Sequence, residues 1–267
     1  MNEYLKIAIK ASLAAGTEIM KVYNEEDFQV EVKLDKSPLT IADKRANEVI
    51  NSHLKLLGIP IISEENEEVS YDERKQWKEC WIVDPLDGTK EFIKKNGEFT
   101  VNIALVSEGR PQLGVIYAPA LKTLYFAIVS EEKAFKFTVP DDVVDPNKVI
   151  LKFSNEIWPE VTSNYTKVVG SRSHMNDETK KFIDDLKSTK KEVQVVSKGS
   201  SLKFCLLAEG EAHLYPRFGP TMEWDTAAGQ AICEAVGYSC KFTDSGKTIS
   251  YNRENLRNDN FLVSYEG

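Results

Sequence analysis

From Phe99 to Phe137 the chain reads as four short runs, FTVNIALV, LGVIYAP, TLYFAIV and KAFKF, which follow Gly97 and are divided by turn residues. β-Branched and aromatic residues dominate each run, and the spacing predicts an antiparallel meander. The polar, proline-containing stretch TVPDDVVDPNK then marks a boundary. Beyond it the pattern alternates. KVVG, VQVVS, AHLYP and FLVSY read as strands, and NDETKKFIDDLK, SSLKFCLLAEG and WDTAAGQAICEAVG read as helices ending near Gly210 and Gly237. Such alternation predicts a sheet with helices on its faces. The expected organisation is an α+β subdomain over 1–139 and an α/β subdomain over 140–267.

Ahead of the meander, Leu5, Ile9, Leu13 and Met20 recur at helical spacing, so a helix to about Tyr23 is expected. A second helix is expected from Ile41 to Leu57, with Thr40 as N-cap and Gly58 as C-cap. Ala46, Val49, Ile50, His53, Leu54 and Leu57 form its expected buried face. Two short apolar strands follow: IPII, running into Ser63-Glu64-Glu65, and CWIV, ending at Asp84.

The formal charge of −8 over 267 residues, with no dominant basic block, argues against a nucleic-acid polymer as partner. A small anionic substrate needs only a local group of cations. The four cysteines, Cys80, Cys205, Cys233 and Cys240, form no C-x-x-C pair and read as buried thiols in a reducing compartment. No apolar run reaches the roughly 18 residues of a membrane span, and MNEYLKIAIKASLAAG lacks an uninterrupted apolar core of a signal peptide. The expectation is a cytoplasmic protein; peripheral association with the inner membrane and the choice between monomer and homodimer stay open.

The acidic residues at element ends carry the chemistry. Glu64 and Asp84 each end a strand, Asp87 follows Asp84, Asp43 lies in the first turn of a helix, and Asp225 begins another. Each has a structural alternative: Asp43 as half of a capping box with Thr40, Asp225 as an N-cap, and Glu64 as part of the solvated run EENEE. Asp84-Pro85-Leu86-Asp87-Gly88-Thr89 is different. Pro85 fixes φ, Gly88 permits unusual backbone, and the turn holds two carboxylates close together. Like charges at that range push one pKa upward unless a cation removes the conflict. Oxygen ligands without His or Cys select Mg²⁺ or Mn²⁺ over zinc, and Mg²⁺ recruits substrate phosphates. The covalent-aspartate phosphatases carry D-x-D-G-T, whereas two residues separate the aspartates here.

DPLDGT at 84–89, SEE at 63–65, EWDTAAGQA at 223–231 and K-S-P-x-T-x-A-D at 36–43 together resemble the magnesium-dependent, lithium-sensitive inositol monophosphatase superfamily. Within it, DGTKEF, GSRSH at 170–174 and GSSLKFCLLAEGEAHLYPRFGPTMEWDTAAGQ at 199–230 resemble the CysQ type, the 3'(2'),5'-bisphosphate nucleotidases of sulfur metabolism. The resemblance implies a layered α/β/α/β/α sandwich, of the inositol monophosphatase and fructose-1,6-bisphosphatase type. It implies hydrolysis of the 3'-phosphate of adenosine 3',5'-bisphosphate (pAp) to AMP.

Carried onto this chain, the resemblance implies that Glu64, Asp84 and the Leu86 carbonyl hold one Mg²⁺ and that Asp84, Asp87 and Asp225 hold another, the pair roughly 3.5–4 Å apart. Asp43 either takes a proton relayed through Thr89 or serves a weaker third ion. Thr89 orients a water activated by metal, and no phosphoenzyme forms. These same acids border the substrate. The N–H groups of Gly88 and Thr89 cradle the scissile phosphate, and Ser200, Lys203 and Arg217 face the second phosphate. His174 stacks on or hydrogen-bonds adenine. Lys203 and Arg217 as surface charges, and His174 as a structural residue, are the competing readings. An inositol-phosphate or other sugar-phosphate phosphatase is the alternative within the superfamily, and a non-catalytic nucleotide-binding protein is the alternative outside it.

Overall fold

The computed structural model describes residues 3–25, 30–32, 38–140, 150, 154–159, 165–171, 176–189 and 192–266. Helix α1 (Glu3–Tyr23) comes first, then an antiparallel pair, β1 (Val30–Val32) and β2 (Pro38–Thr40), and helix α2 (Ile41–Leu54). Next are β3 (Ile61–Ser63), the turn-length α3 (Tyr71–Arg74), β4 (Glu79–Asp87) and α4 (Thr89–Ile93). The meander comprises β5 (Thr100–Ser107), β6 (Arg110–Ala118), β7 (Thr123–Ile128) and β8 (Lys133–Thr138), with β9 (Asn155–Ile157) at its edge. Then come β10 (Thr166–Ser171), α5 (Asp177–Thr189), β11 (Val193–Lys198), α6 (Leu202–Ala208), β12 (Leu214–Arg217) and β13 (Thr221–Met222). Helix α7 (Glu223–Glu234), β14 (Tyr238–Phe242), β15 (Arg257–Asn258) and β16 (Phe261–Tyr265) complete the chain.

Strands β3 to β9 form one seven-stranded sheet in sequence order, with only β3 and β4 parallel. A second sheet has the order β11-β10-β12-β16-β14, parallel among β11, β10 and β12 and antiparallel beyond. Because successive strand residues face opposite sides, β4 feeds two cores. Trp81 and Val83 pack with Ile9, Ile19 and Ile50 of α1 and α2. Cys80 and Ile82 pack with Phe204 and Ile232 of α6 and α7, which also meet Tyr215 and Val263 of the second sheet. Burial on both faces is why CWIV reads as a continuous apolar run. With α5 against β11 and β12, the order is helix, sheet, helix, sheet, helix, the sandwich expected from the sequence. Helix α7 can lie this close to the large sheet because Gly114 of β6 has no side chain: a Cβ there would stand 2.4 Å from the Ala228 carbonyl oxygen.

Several local expectations change. Helix α2 gives way to a 3-10 turn over Lys55–Leu57, closed by Gly58 in the left-handed region at φ +67°. Val49 and His53 are only partly buried, while Asn47 and Asn51 lie inside. Those amides join Asn66 and Ser63 through bonds of 2.8–3.1 Å, so polar residues satisfy one another beneath β3. Strand β4 runs on through Asp84 to Asp87. All four cysteines are buried and unpaired. Residues 141–148 of the predicted boundary stretch lie outside the described residues, and the helices between the sheets share their core with both halves. Among the described residues, no helix is long and apolar enough to cross a membrane.

Candidate active site

The β4–β5 register slips between the pairs Asp84↔Asn102 and Asp87↔Thr100, so Pro85 and Leu86 bulge opposite Val101. A bulge re-aims the residues that follow it. Asp84 Oδ1 accepts the Leu86 N–H at 3.1 Å, which fixes the turn on its own carboxylate. Gly88 then takes φ +90°, a conformation that strains residues with a Cβ, and α4 begins at Thr89. The result places Asp84, Asp87 and Asp225 with one carboxylate oxygen each within 4.8 Å of one another. Asp225 arrives from the other half of the chain. It is the third residue of α7 rather than the first, because the helix starts at Glu223. Its Oδ2 accepts the Met222 N–H at 2.8 Å. The start of α7 is itself pinned by buried Glu223, which accepts from Asn252 N at 2.6 Å and from Arg253 N and Nε at 3.1 and 3.0 Å.

Electrostatically the acids of the cluster raise one another. Burial lifts the Asp84 carboxyl well above its ordinary range, with further contributions from Glu64, Asp87, Asp225 and Asp43. Burial and then Asp87 push Asp225 up to about 8, against the opposing Met222 N–H bond. A divalent cation answers all of these repulsions at once. The donor set is carboxylate oxygen, which suits a hard divalent cation such as Mg²⁺.

The other predicted residues surround this cluster. Glu64 follows β3, and its N–H bonds Val83 O at 3.2 Å. It acts on Asp84 through space and borders a separate cavity of about 380 Å³ with Met222 and Trp224. Asp43 is buried, and its two oxygens divide their work. Oδ2 accepts from Thr40 N and Oγ1 at 2.8 and 2.5 Å, a capping box, and Oδ1 accepts from Thr89 Oγ1 at 3.4 Å. Thr89 Oγ1 also lies 3.4 Å from the Leu86 carbonyl oxygen. The capping role and the Thr89 contact therefore coexist in one side chain.

A cavity of about 250 Å³ opens beside the acids, between Asp87, Gly88 and Thr89 on one wall and Ser200, Lys203, Arg217 and Asp225 on the other. Lys203 is buried, not a surface charge. Its Nζ donates to the Ser200 carbonyl and lies 5.6 Å from the Tyr215 ring centroid. Burial pulls its pKa down to about 8, partly opposed by Asp87. Arg217 Nη2 donates to Pro220 O at 3.0 Å, while its buried Nε has no hydrogen-bond partner among the described residues. Ser200, at φ +53°, turns its hydroxyl to Asp87 Oδ2 at 2.6 Å. His174 lies outside the described residues. Sequence reasoning missed Asn102, Thr100 and Ser201, which pack polar groups behind Asp87. Asn102 did leave a signal, as the lone amide inside the apolar run FTVNIALV.

The inositol monophosphatase family model matches residues 1–264. This chain belongs to the inositol monophosphatase family. It is 46% identical over 254 residues to the 3'(2'),5'-bisphosphate nucleotidase CysQ of Salmonella typhimurium, spanning 94% of this chain and 95% of that protein. The CysQ nucleotidase of Escherichia coli K12 is 44% identical over 254 residues and the same spans. The crystal structure of CysQ from Bacteroides thetaiotaomicron, a bacterial member of the family, superposes with a TM-score of 0.88 at 45% identity, covering 98% of this chain and 96% of that one. The family is metal-dependent, and the acid cluster at the end of β4 fits that chemistry.

Proposed function

We propose that this chain is a Mg²⁺-dependent 3'(2'),5'-bisphosphate nucleotidase that removes the 3'-phosphate of pAp. One observation carries the reading. Three carboxylates from two halves of the chain converge, and two of them, Asp87 and Asp225, line a cavity that Lys203 and Arg217 also line. An acid cluster alone would hold a cation. A cation wall beside it fits a substrate with a second anionic group. The family membership and the CysQ relatives point the same way.

Asp84, Asp87 and Asp225, with Glu64 and the Leu86 carbonyl alongside, are the groups that would hold the ions. Bound Mg²⁺ would neutralise phosphate charge and acidify a water. Thr89 donates its proton toward Asp43 Oδ1 at 3.4 Å, which leaves a Thr89 lone pair to accept a proton from water in the cavity. Asp43 is held by Thr40 through Oδ2 and so presents Oδ1 toward Thr89 in a fixed direction. Gly88 and Thr89 line the same cavity, and their N–H groups would donate to phosphate oxygens. Lys203 and Arg217 receive the second phosphate. Mn²⁺ would substitute for Mg²⁺ on the same oxygens. The working location is the cytoplasm, and the division of labour follows 1–139 for most ligands and 140–267 for Asp225 and the cation wall.

The test is phosphate release with Mg²⁺ from pAp, inositol 1-phosphate and fructose 1,6-bisphosphate, each with and without Li⁺. The expected result is preference for pAp and inhibition by Li⁺. Equal or better turnover of the sugar phosphates would overturn the nucleotide reading in favour of a sugar-phosphate phosphatase.

A further inference from the structure

Ser201 belongs neither to the acid cluster nor to the cation wall, yet its hydroxyl touches residues of both ends of the cluster. Its Oγ lies 2.8 Å from Asp87 Oδ2 and 3.0 Å from the Asp225 carbonyl oxygen. Asn102 Nδ2 donates to that same Oγ at 2.9 Å. With its lone pair engaged from behind, the single Ser201 proton is directed forward, and the charged carboxylate is the stronger acceptor. Ser200 donates to the same Asp87 oxygen at 2.6 Å. Thr100 Oγ1 stands between the two systems, 2.5 Å from Ser200 Oγ and 2.9 Å from Asn102 Oδ1.

This arrangement is buried and specific. Thr100, Asn102 and Ser201 are 0%, 1% and 2% exposed. A buried polar group needs its partners, because leaving one unmade costs more than the bond itself gains. Here the partners converge on one oxygen of one carboxylate. Asp87 Oδ2 takes both serine hydroxyls and lies 3.5 Å from Asn102 Nδ2, so the orientation of the carboxylate is set from this side. Asn102 and Thr100 also sit opposite Asp84 and Asp87 across the β4–β5 bulge, so the support comes from the strand that sets the register of the turn.

We propose that Ser201, backed by Asn102, is a positioning residue that holds Asp87 Oδ2 and so fixes how the Asp87 carboxylate is presented to the cation. The proposal rests on the reading of Asp84, Asp87 and Asp225 as a metal site. Groups that orient metal ligands in this way typically change metal affinity by about 10–100-fold when removed.

The experiment is titration of free Mn²⁺ by electron paramagnetic resonance in the parent, Ser201→Ala and Ser201→Cys proteins, with thermal unfolding of each. Cysteine fills the serine volume but is a weak donor. Both variants are expected to bind Mn²⁺ roughly 10–100-fold more weakly than the parent, with melting temperatures close to it. The Mg²⁺ concentration for half-maximal phosphate release should rise by the same factor, and the rate at saturating Mg²⁺ should fall much less. Parent-like Mn²⁺ affinity in Ser201→Ala would overturn the proposal, and so would parent-like affinity in Ser201→Cys alone, which would assign the residue to packing. Failure of the parent itself to bind Mn²⁺ would instead overturn the metal reading beneath it.

Discussion

Asp43 Oδ2 is held by Thr40 at 2.8 and 2.5 Å while its Oδ1 faces the Thr89 hydroxyl at 3.4 Å. A residue that caps a helix with one oxygen and aims the other into a site can be dissected by substitution. Asn keeps an oxygen for the cap but is no proton acceptor of comparable strength; Ala keeps neither. Asp43→Asn should therefore lower kcat by about 10²–10⁴-fold, the usual share of general-base catalysis, with little change in melting temperature. Asp43→Ala should lose activity similarly and also about 1 kcal/mol of stability, as a lost helix cap does. Steady-state kinetics paired with thermal unfolding checks both; parent-like turnover in Asp43→Asn would remove Asp43 from the proton path.

The acid cluster predicts opposite effects on activity and metal-free stability. Asp225→Asn retains an acceptor for the Met222 N–H and removes a buried carboxyl that must take up a proton on folding at neutral pH. In EDTA at neutral pH the variant should melt higher than the parent by a few degrees, about what 1 kcal/mol gives in a domain of this size. With Mg²⁺ the order should reverse, because the variant has lost a ligand, and phosphate release should fall by orders of magnitude. A metal-free variant that melts below the parent would show that burying this carboxyl is not the dominant cost.

Burial of these carboxyls, with their mutual repulsion, sets a pH dependence. Asp225 stands at about 8 in the folded chain against an ordinary 3.8, and Asp84 is raised as well. Raised carboxyls mean that the folded state binds more protons than the unfolded state across roughly pH 4–8, so stability falls as pH rises through that window. Melting of the metal-free protein should therefore be highest near pH 5 and lowest near pH 8. Mg²⁺ should flatten or invert that slope, because binding displaces the protons. Thermal scans across pH in EDTA and in Mg²⁺ separate the cases; an EDTA curve rising toward pH 8 would contradict the geometry.

Much of this site was legible in the sequence because its parts are local. DPLDGT carries its own turn chemistry in Pro85 and Gly88, and Thr40 with Asp43 is a capping box visible at three-residue spacing. The meander and the alternating second half gave both sheets for the same reason, since side-chain period is a property of adjacent residues. What depended on distant pairing was not legible. The bulge that carries β4 to Asp87 exists only against β5. The burial of Lys203 follows from α6 lying between two sheets. Ser201 and Asn102 are 99 residues apart and meet at one hydrogen bond. Asn47 and Asn51 fall outside the positions of α2 expected to be buried, and their inward placement depends on Asn66 meeting them.

Lys203 offers a test of the cation wall that does not rely on loss of activity. Burial holds its pKa near 8, so the free enzyme loses this charge as pH rises through that value. The pH dependence of kcat/KM reports groups of the free enzyme. For pAp, kcat/KM should decline above about pH 8. For a monophosphate lacking the second anionic group, the same decline should be absent, so the ratio of the two values isolates Lys203 from any change at the acids. Lys203→Met should show a low ratio that no longer varies across pH 7–9. It should raise KM for pAp well above the parent value, because a charged partner has been removed from a buried anion site. A Lys203→Met enzyme that keeps the parent's ratio and its pH dependence would place the second phosphate elsewhere in the cavity, against Arg217 or Lys90, which also line it.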